Sequence, residues 1–154
     1  MLSLVNRAGG AEMRVKCVLR DARDLNNKLV EHRLRRSIHL DGPIGDLGLG
    51  KIYNVVGLQE SDGGIWVMLD TVEKSDYPYP YPIEMFEIID CSLPGDWCIN
   101  FVQRSDGAFI KRIGFREWAT DETFYERLID GDQGAIDVYR RERTKLSLAS
   151  DREI

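Results

Sequence analysis

The feature that most constrains the fold of this chain is the run Tyr77-Pro78-Tyr79-Pro80-Tyr81-Pro82. A proline at every second position removes backbone donors, so the run cannot form a central strand of a sheet. Each tyrosine precedes a proline and is biased towards extended or polyproline conformation. In a strand the three rings would share one face, whereas a polyproline helix would fan them around its axis. We therefore expect an edge position with exposed rings that form a contact surface. The alternative is that the prolines only protect the edge from unwanted pairing.

The length and composition of the chain predict one domain. Its 154 residues, 43% of them hydrophobic, are enough to bury a core. Residues 1–12 are rich in small side chains and predict a disordered leader, and residues 13–154 then form the single domain. The leader is too short for a signal peptide, and no span approaches the length of a membrane helix. The three cysteines, Cys17, Cys91 and Cys98, are an odd number, which is typical of a reducing compartment. We expect a cytoplasmic protein.

The charges of the chain are unevenly distributed. The formal net charge is −5, which argues against nonspecific nucleic-acid binding. Residues 14–36 contain eight Lys/Arg and three Asp/Glu, while residues 41–96 contain eleven Asp/Glu and two Lys. The acidic segment also contains four of the six tyrosines and Trp66, and Trp97 follows directly after it. This pattern predicts an acidic, aromatic surface that attracts a cationic partner, with chance segregation of solvated charges as the alternative.

Short apolar or alternating runs separated by turn residues predict a mainly β region over residues 13–113, interrupted by an insertion at residues 20–45. The predicted strands are Arg14–Leu19, Lys51–Leu58, Ile65–Asp70, Met85–Ile89, Trp97–Gln103 and Ala108–Ile113. The helical period begins at Arg116 and predicts a tail over residues 116–149. Its first helix is expected to begin at Thr120 or Asp121 and to end at Asp130-Gly131-Asp132, and its second to cover residues 133–148. The chain is therefore expected to have an α+β fold. It combines a small, strongly bent antiparallel sheet or an SH3-like barrel with two C-terminal helices.

No motif in the chain predicts catalysis or cofactor binding. The stretch Gly45–Lys51 matches the first seven positions of a phosphate-binding P-loop, but Ile52 replaces the hydroxyl that binds Mg²⁺. A predicted strand follows, whereas a P-loop needs a helix N-terminus to face the phosphate. His32, His39 and Asp41 lack the close spacing of a metal site, and no cysteine lies at an activated position. We expect a protein that is not an enzyme and holds no metal or cofactor.

Four segments carry a resemblance to a known group of proteins. They are Met13-Arg14-Val15-Lys16-Cys17, Leu47–Val55, Trp66–Asp70 and Tyr81–Ile89. Together they resemble the patterns M-x-V-K-C, L-x-x-G-K-x-Y-x-V, an aromatic strand ending in Asp, and Y-P-x-x-x-F-E-V-V of uncharacterised bacterial and phage proteins with a small SH3-like β-barrel. The resemblance covers residues 13–90 and implies a fold, not an activity. The insertion and the helical tail depart from that family's short form.

A second similarity is one of type. Small acidic single domains without a catalytic motif resemble bacterial immunity proteins, which neutralise nuclease toxins. The leading hypothesis is therefore a non-catalytic immunity protein that binds a basic toxin domain through its acidic, aromatic surface. The alternative is a regulatory or phage-type SH3-like adaptor that binds a peptide or nucleic acid. The candidate partner-binding residues are Asp62, Trp66, Asp70, Glu73, Asp76, Tyr77, Tyr79, Tyr81, Glu84, Glu87, Asp96 and Trp97.

The rejected P-loop can be tested directly. Replacing Lys51 by Ala is expected to change the free energy of unfolding by no more than ~0.5 kcal/mol, as at an ordinary surface site. Calorimetric titration with ATP or GTP and Mg²⁺ is expected to give no binding, because the metal-binding hydroxyl is missing at Ile52. Micromolar binding that is lost in the Lys51→Ala variant would restore the nucleotide site.

Overall fold

A computed structural model describes residues 12–21, 24–25, 28, 47–61, 63–71 and 75–152, with side chains as far as Leu146. Within these ranges the strands are β1 Arg14–Cys17, β2 Ile52–Ser61, β3 Gly64–Leu69, β4 Tyr79–Pro82, β5 Phe86–Asp90, β6 Cys98–Gln103 and β7 Phe109–Gly114. A 3-10 turn, Ile83–Met85, joins β4 to β5. The helices are α1 Arg116–Thr120, α2 Phe124–Ile129 and α3 Gln133–Arg152. The predicted strand after Lys51 is confirmed.

Strand β2 organises the sheet because it pairs with three other strands. The order is β4-β3-β2-β1-β5, and β7 pairs with both β2 and β6. All of these pairs are antiparallel. The first residues of β2 pair with β1, and its second half lies between β3 and β7, after a register shift between Val55 and Gly57. The sheet therefore branches at β2. An antiparallel sheet followed by C-terminal helices confirms the α+β prediction, but the sheet is not closed into the SH3-like barrel that was its alternative form.

Apolar side chains lie on both faces of the central strands and form two clusters. Val55, Val67 and Leu69 belong to the first cluster, which also contains Tyr81 and Met85. The intervening residues Val56 and Met68 point to the opposite face, as alternation in a strand requires. There they meet the helices in a second cluster with Trp118, Phe124, Leu128, Ile136 and Tyr139. The helical tail is thus the cover of one face of the sheet.

The first predicted helix begins later than expected and is preceded by a separate short helix. The sequence predicts a start at Thr120 or Asp121, but α1 occupies Arg116–Thr120 and α2 begins at Phe124. Asp121 Oδ1 accepts the backbone N–H of Thr123 at 2.9 Å and the Thr123 hydroxyl at 2.8 Å. Such local side-chain bonds compete with helical hydrogen bonding and cause the break. The last helix instead runs to Arg152, beyond its predicted end.

Two facing glycines allow α1 to pack against the sheet. Gly57 of β2 pairs in register with Gly114 of β7, and the Trp118 ring lies over both. A Cβ at Gly114 would lie 2.6 Å from Trp118 Cδ1, and a Cβ at Gly57 would lie 2.9 Å from Trp118 Nε1. The indole Nε1–H also donates to Leu58 O at 3.3 Å. The absent side chains therefore make the space in which Trp118 is buried.

Replacing Gly114 by Ala should destabilise the fold, because the new methyl group overlaps the indole ring of Trp118. Overpacking of this kind costs about 1–3 kcal/mol, measured as the loss in free energy of urea unfolding. The matched control is Gly95→Ala, where a new Cβ meets no atom within 4 Å. If the two variants unfolded at the same urea concentration, the contact with Trp118 would not be a constraint on the fold.

Candidate functional site

The tyrosine–proline run lies at an edge of the sheet, as predicted, because its strand β4 pairs only with β3. It does not present three exposed rings, however. Tyr81 is 3% exposed and belongs to the first cluster, and its hydroxyl is 2.7 Å from Thr71 Oγ1. Tyr77 and Tyr79 are half-buried, with ring centroids 5.1 Å apart, and pack against different clusters. The run is partly core, and the predicted aromatic stripe is wrong at Tyr81.

The two tryptophans predicted for the partner surface also contribute to packing. Trp66 is buried on β3 and lies opposite Pro82 of the edge strand β4. Trp97 is half-buried and contacts both apolar clusters. Burial of such large rings favours a structural role for both side chains.

The acidic segment is bound by the basic half of α3. Asp76 Oδ1 accepts from Arg140 Nη2 at 2.7 Å, and Asp96 Oδ2 accepts from Lys145 Nζ at 3.3 Å. Asp70 Oδ1 lies 3.9 Å from Arg143 Nη1. Burial raises the pKa of the Asp70 carboxyl, although the Arg143 charge opposes the shift. The carboxylates expected to face a partner thus meet cations of the same chain, 49 to 64 residues later for two of them.

The remaining predicted acidic residues are not brought together. Glu84 is half-buried in the 3-10 turn, and Glu87 is exposed on β5. Asp62 and Glu73 lie outside the described residues, as do His32, His39 and Asp41 and most of the 20–45 insertion. Of the predicted leader, only Glu12 is described, and it is fully buried.

A cleft of about 350 Å³ lies between β1, the start of β2 and the second half of α3. Its lining includes three cationic side chains, Arg14, Lys51 and Arg143. Arg14 lies 3.9 Å from both Glu12 and Asp90, and Arg143 lies beside Asp70 and donates to Ser75 O at 2.6 Å. Carboxylates therefore neighbour two of the three cations, Arg14 and Arg143, whereas Lys51 Nζ lies 5.3 Å from the centroid of the Tyr53 ring.

The exposed acidic surface is instead on the helices, at what we call the acidic corner. It consists of Glu122, Glu126, Asp130, Asp132 and Asp137, all of them exposed. Residues 116–137 contain seven Asp/Glu and two Arg, so this stretch alone has a net charge of −5, equal to that of the whole chain. One of the two arginines, Arg127, bonds to both Asp121 and Asp132 and is thereby neutralised.

The sequence forms this corner because the apolar residues of α2 and α3 must face the sheet. Phe124, Leu128 and Ile136 are buried in the second cluster, so the intervening positions are exposed. Gly131, with φ +81°, turns the chain sharply between α2 and α3. Asp132 Oδ2 then accepts the N–H of Ala135 at 3.0 Å, which is the favoured use of a carboxylate at a helix start.

Sequence reasoning missed this corner because charge was counted over too long a window. Residues 138–146 contain four Lys/Arg and one Asp/Glu, and they hide the preceding acidic stretch in a nearly balanced tail. Counting charge over about two helical turns on each side of Gly131 separates the acidic stretch from the basic one that follows it. The exposed Ile129 lies in the same stretch and adds an apolar group to the acidic corner.

A second exposed surface is apolar and lies on the β6–β7 hairpin. Ile99, Phe101 and Phe109 are 58%, 60% and 61% exposed. They lie on one face, because Phe101 pairs with Lys111 and Phe109 pairs with Gln103 in the antiparallel register. The opposite face is covered by α1, where Asn100 Nδ2 donates to Ala119 O at 3.0 Å. We call the exposed side the hairpin face.

Among the described residues, no three His, Cys, Asp or Glu side chains converge on a position that could hold a metal ion. Cys17, Cys91 and Cys98 are free thiols, and burial raises the pKa of the Cys17 thiol. No described helix is long and apolar enough to cross a membrane.

Comparison with models of protein families, with curated proteins and with solved structures finds no match to this chain. The resemblance to SH3-like barrel proteins and the similarity in type to immunity proteins therefore stay predictions.

Truncating Tyr81 to Ala should destabilise the protein by roughly 3 kcal/mol or more, because a buried ring and its hydrogen bond to Thr71 are lost. Tyr81→Phe, which keeps the ring, should cost about 1 kcal/mol. Urea unfolding of the two variants measures both effects. Equal, small losses for the two would place the Tyr81 ring at the surface after all.

Proposed function

We propose that this protein binds a cationic protein partner and performs no chemistry of its own. One observation carries the proposal: the exposed carboxylates of the acidic corner have a single arginine, Arg127, among them, and it already bridges Asp121 and Asp132. Net charge that is concentrated on one exposed corner creates a local negative potential. A partner with a basic patch gains from approaching this corner.

This proposal moves the binding surface away from the acidic, aromatic segment that the sequence predicts. Asp70, Asp76 and Asp96 face cations of α3, so a partner's cations would have to displace intramolecular ones. Tyr81 and Trp66 are buried and would have to leave the core to make contact. Neither cost applies at the acidic corner, where the side chains are already exposed.

Charge and apolar burial are expected to contribute differently to binding at the acidic corner. Opposite charges accelerate encounter and fix orientation, while buried apolar anchors supply much of the affinity. Ile129 is half-exposed between Glu126 and Asp130 and is the nearest apolar side chain available as an anchor. Its isolation suggests that charge contributes more to this contact than apolar burial does.

The most specific form of the proposal is a bacterial immunity protein that neutralises a basic nuclease-type toxin. Its support is the small acidic domain and the concentration of that charge on one corner. The SH3-like adaptor is the alternative, in which a peptide or nucleic acid binds at a barrel edge. It has less support, because the sheet is open and the uncompensated exposed charge is acidic, which repels phosphate.

The test compares two charge-reversed variants. Changing Glu122, Glu126 and Asp130 to Lys should slow association with a basic nuclease-type toxin domain by at least ~10-fold at low salt, given the usual size of electrostatic steering. Stopped-flow or surface plasmon resonance gives the rate. The wild-type rate should also fall as salt rises, since the charges involved are exposed.

The control variant changes Glu60 of β2, Glu87 of β5 and Asp106 of the β6–β7 turn to Lys, which alters the net charge by the same amount at exposed positions away from the acidic corner. It should slow association much less than the variant of the acidic corner. If both variants slow association equally, net charge acts without a local site. A rate that is independent of salt would contradict the proposal altogether.

A further inference from the structure

The described sheet has three outer strands, and two of them are protected against pairing with another chain. Strand β4 has Pro80 and Pro82, which lack backbone donors. Strand β5 has the charged residues Glu87 and Asp90. Prolines and charges are the usual means by which proteins prevent edge-to-edge association.

The third outer strand, β6, has no such protection. Its sequence Cys98-Ile99-Asn100-Phe101-Val102-Gln103 contains no proline and no charged residue. It pairs with β7 over its whole length without a register shift, so no bulge bends it away. No strand of the described residues pairs with its outer edge. A regular, uncharged, apolar edge of this kind is a template for another strand.

The backbone groups available on that edge follow from the hairpin. The Arg104 N–H donates to Ala108 O at 2.8 Å, so the amide of Arg104 points towards β7. Backbone direction alternates along an antiparallel strand, so Val102, Asn100 and Cys98 also direct their amides to β7. The amides and carbonyls of Ile99, Phe101 and Gln103 therefore point outwards.

We propose that two copies of this chain associate by antiparallel pairing of their β6 strands, with Asn100 on the two-fold axis. The outer backbone groups of Ile99 in one copy then bond to those of Phe101 in the partner, and the reverse. The two sheets become one continuous sheet. The two hairpin faces become one apolar surface, with Ile99 beside the partner's Phe101, a favourable aromatic and β-branched pair.

The charges that flank β6 favour this register. With Asn100 on the axis, the turn that contains Asp96 in one copy adjoins Arg104 of the partner, so opposite charges meet beyond both ends of the strand pair. Within each copy Asp96 keeps its ion pair with Lys145 at 3.3 Å, and Arg104 keeps its ion pair with Asp106 at 3.4 Å. Opposite charges across a strand pair stabilise it, and like charges destabilise it.

A second copy is also the partner that the charge of the chain permits at this position. Two molecules with a net charge of −5 repel one another, and the uncharged β6 edge is where they approach with the least repulsion. The β6 edge shares no residue with the acidic corner. The pairing of copies therefore does not depend on the proposed function, and either can fail alone.

Cross-linking tests the register. In the full chain with Cys91→Ser and Cys98→Ala, Asn100→Cys is expected to form a covalent dimer under mild oxidation. Residues that meet at a non-hydrogen-bonded antiparallel position have Cα atoms about 4.5 Å apart, within the range that a disulfide spans. Gln103→Cys is the control, because its mate across the axis is Trp97 of the partner, and it is expected to stay monomeric on a denaturing gel.

Sedimentation equilibrium tests the edge itself. Phe101→Lys is expected to raise the dimer dissociation constant at least ~10-fold, since it places a charge within an apolar strand pair. Phe109→Lys is the matched control: it has the same exposure on the same face, but lies on β7 and not on the edge, and it should leave the constant nearly unchanged. Circular dichroism confirms that both variants are folded.

The outcomes separate clearly. A wild-type dimer that Phe101→Lys dissociates and Asn100→Cys traps supports the proposal. A monomeric wild type at every concentration overturns it. So does a dimer that both lysine variants weaken equally, or one in which Gln103→Cys cross-links and Asn100→Cys does not, because the contact then lies elsewhere or in another register.

Discussion

The packing of Trp118 over two glycines is the contact on which the rest of this structure depends. Gly57 and Gly114 face one another where β7 joins β2, and a Cβ at either position would overlap the indole ring. Since α1 begins directly after β7, this contact fixes where the helical tail starts across the sheet. Phe124, Leu128 and Tyr139 then follow into the same cluster. Without space for Trp118, the second face of the sheet would lack its cover.

That cover determines the electrostatics of the surface. The second half of α3 carries its cations to Asp70, Asp76 and Asp96, so opposite charges that are far apart in the chain neutralise one another. Exposed ion pairs of this kind add little stability, but they remove the attraction of both partners for other molecules. The carboxylates around Gly131 meet far fewer cations of the chain and keep their field. The acidic corner is thus what remains after α3 has docked.

The outer strands of the sheet differ in how they are protected from pairing with another chain. Pro80 and Pro82 end the sheet at β4, and the charges of β5 end it on another side, whereas β6 has neither device. Because β6 pairs with β7 without a register shift, the outer edge of β6 is regular. A branched sheet has more outer strands than a simple one. The position of β7 on β2 therefore creates the edge from which self-association is inferred.

Local patterns in the sequence predict most of the strands of this fold. Alternation predicts β1, β2 and β3, turn residues predict the β6–β7 hairpin, and prolines predict that β4 is an edge strand, because each of these depends on contacts between near neighbours in the chain. The predicted helix start at Thr120 or Asp121 is wrong, because Asp121 follows the end of α1 and bonds locally to Thr123 before α2 begins. The sequence does not predict α1 as a separate element, since Trp118 fits the same helical period as Phe124 and Leu128.

The tertiary structure determines which carboxylates and aromatic rings are exposed to a binding partner. The sequence predicts a binding surface from Asp62 to Trp97, but Tyr81 is buried and Asp76 is bound by Arg140, 64 residues later. Local pattern cannot predict such long-range pairs, since any of many cations could reach a given carboxylate. Likewise, Gly114 reads as an ordinary strand end until Trp118 is placed above it. Which carboxylates stay uncompensated depends on where α3 lies. The position of α3 is set by the packing of its apolar side chains on the face of the sheet that it covers.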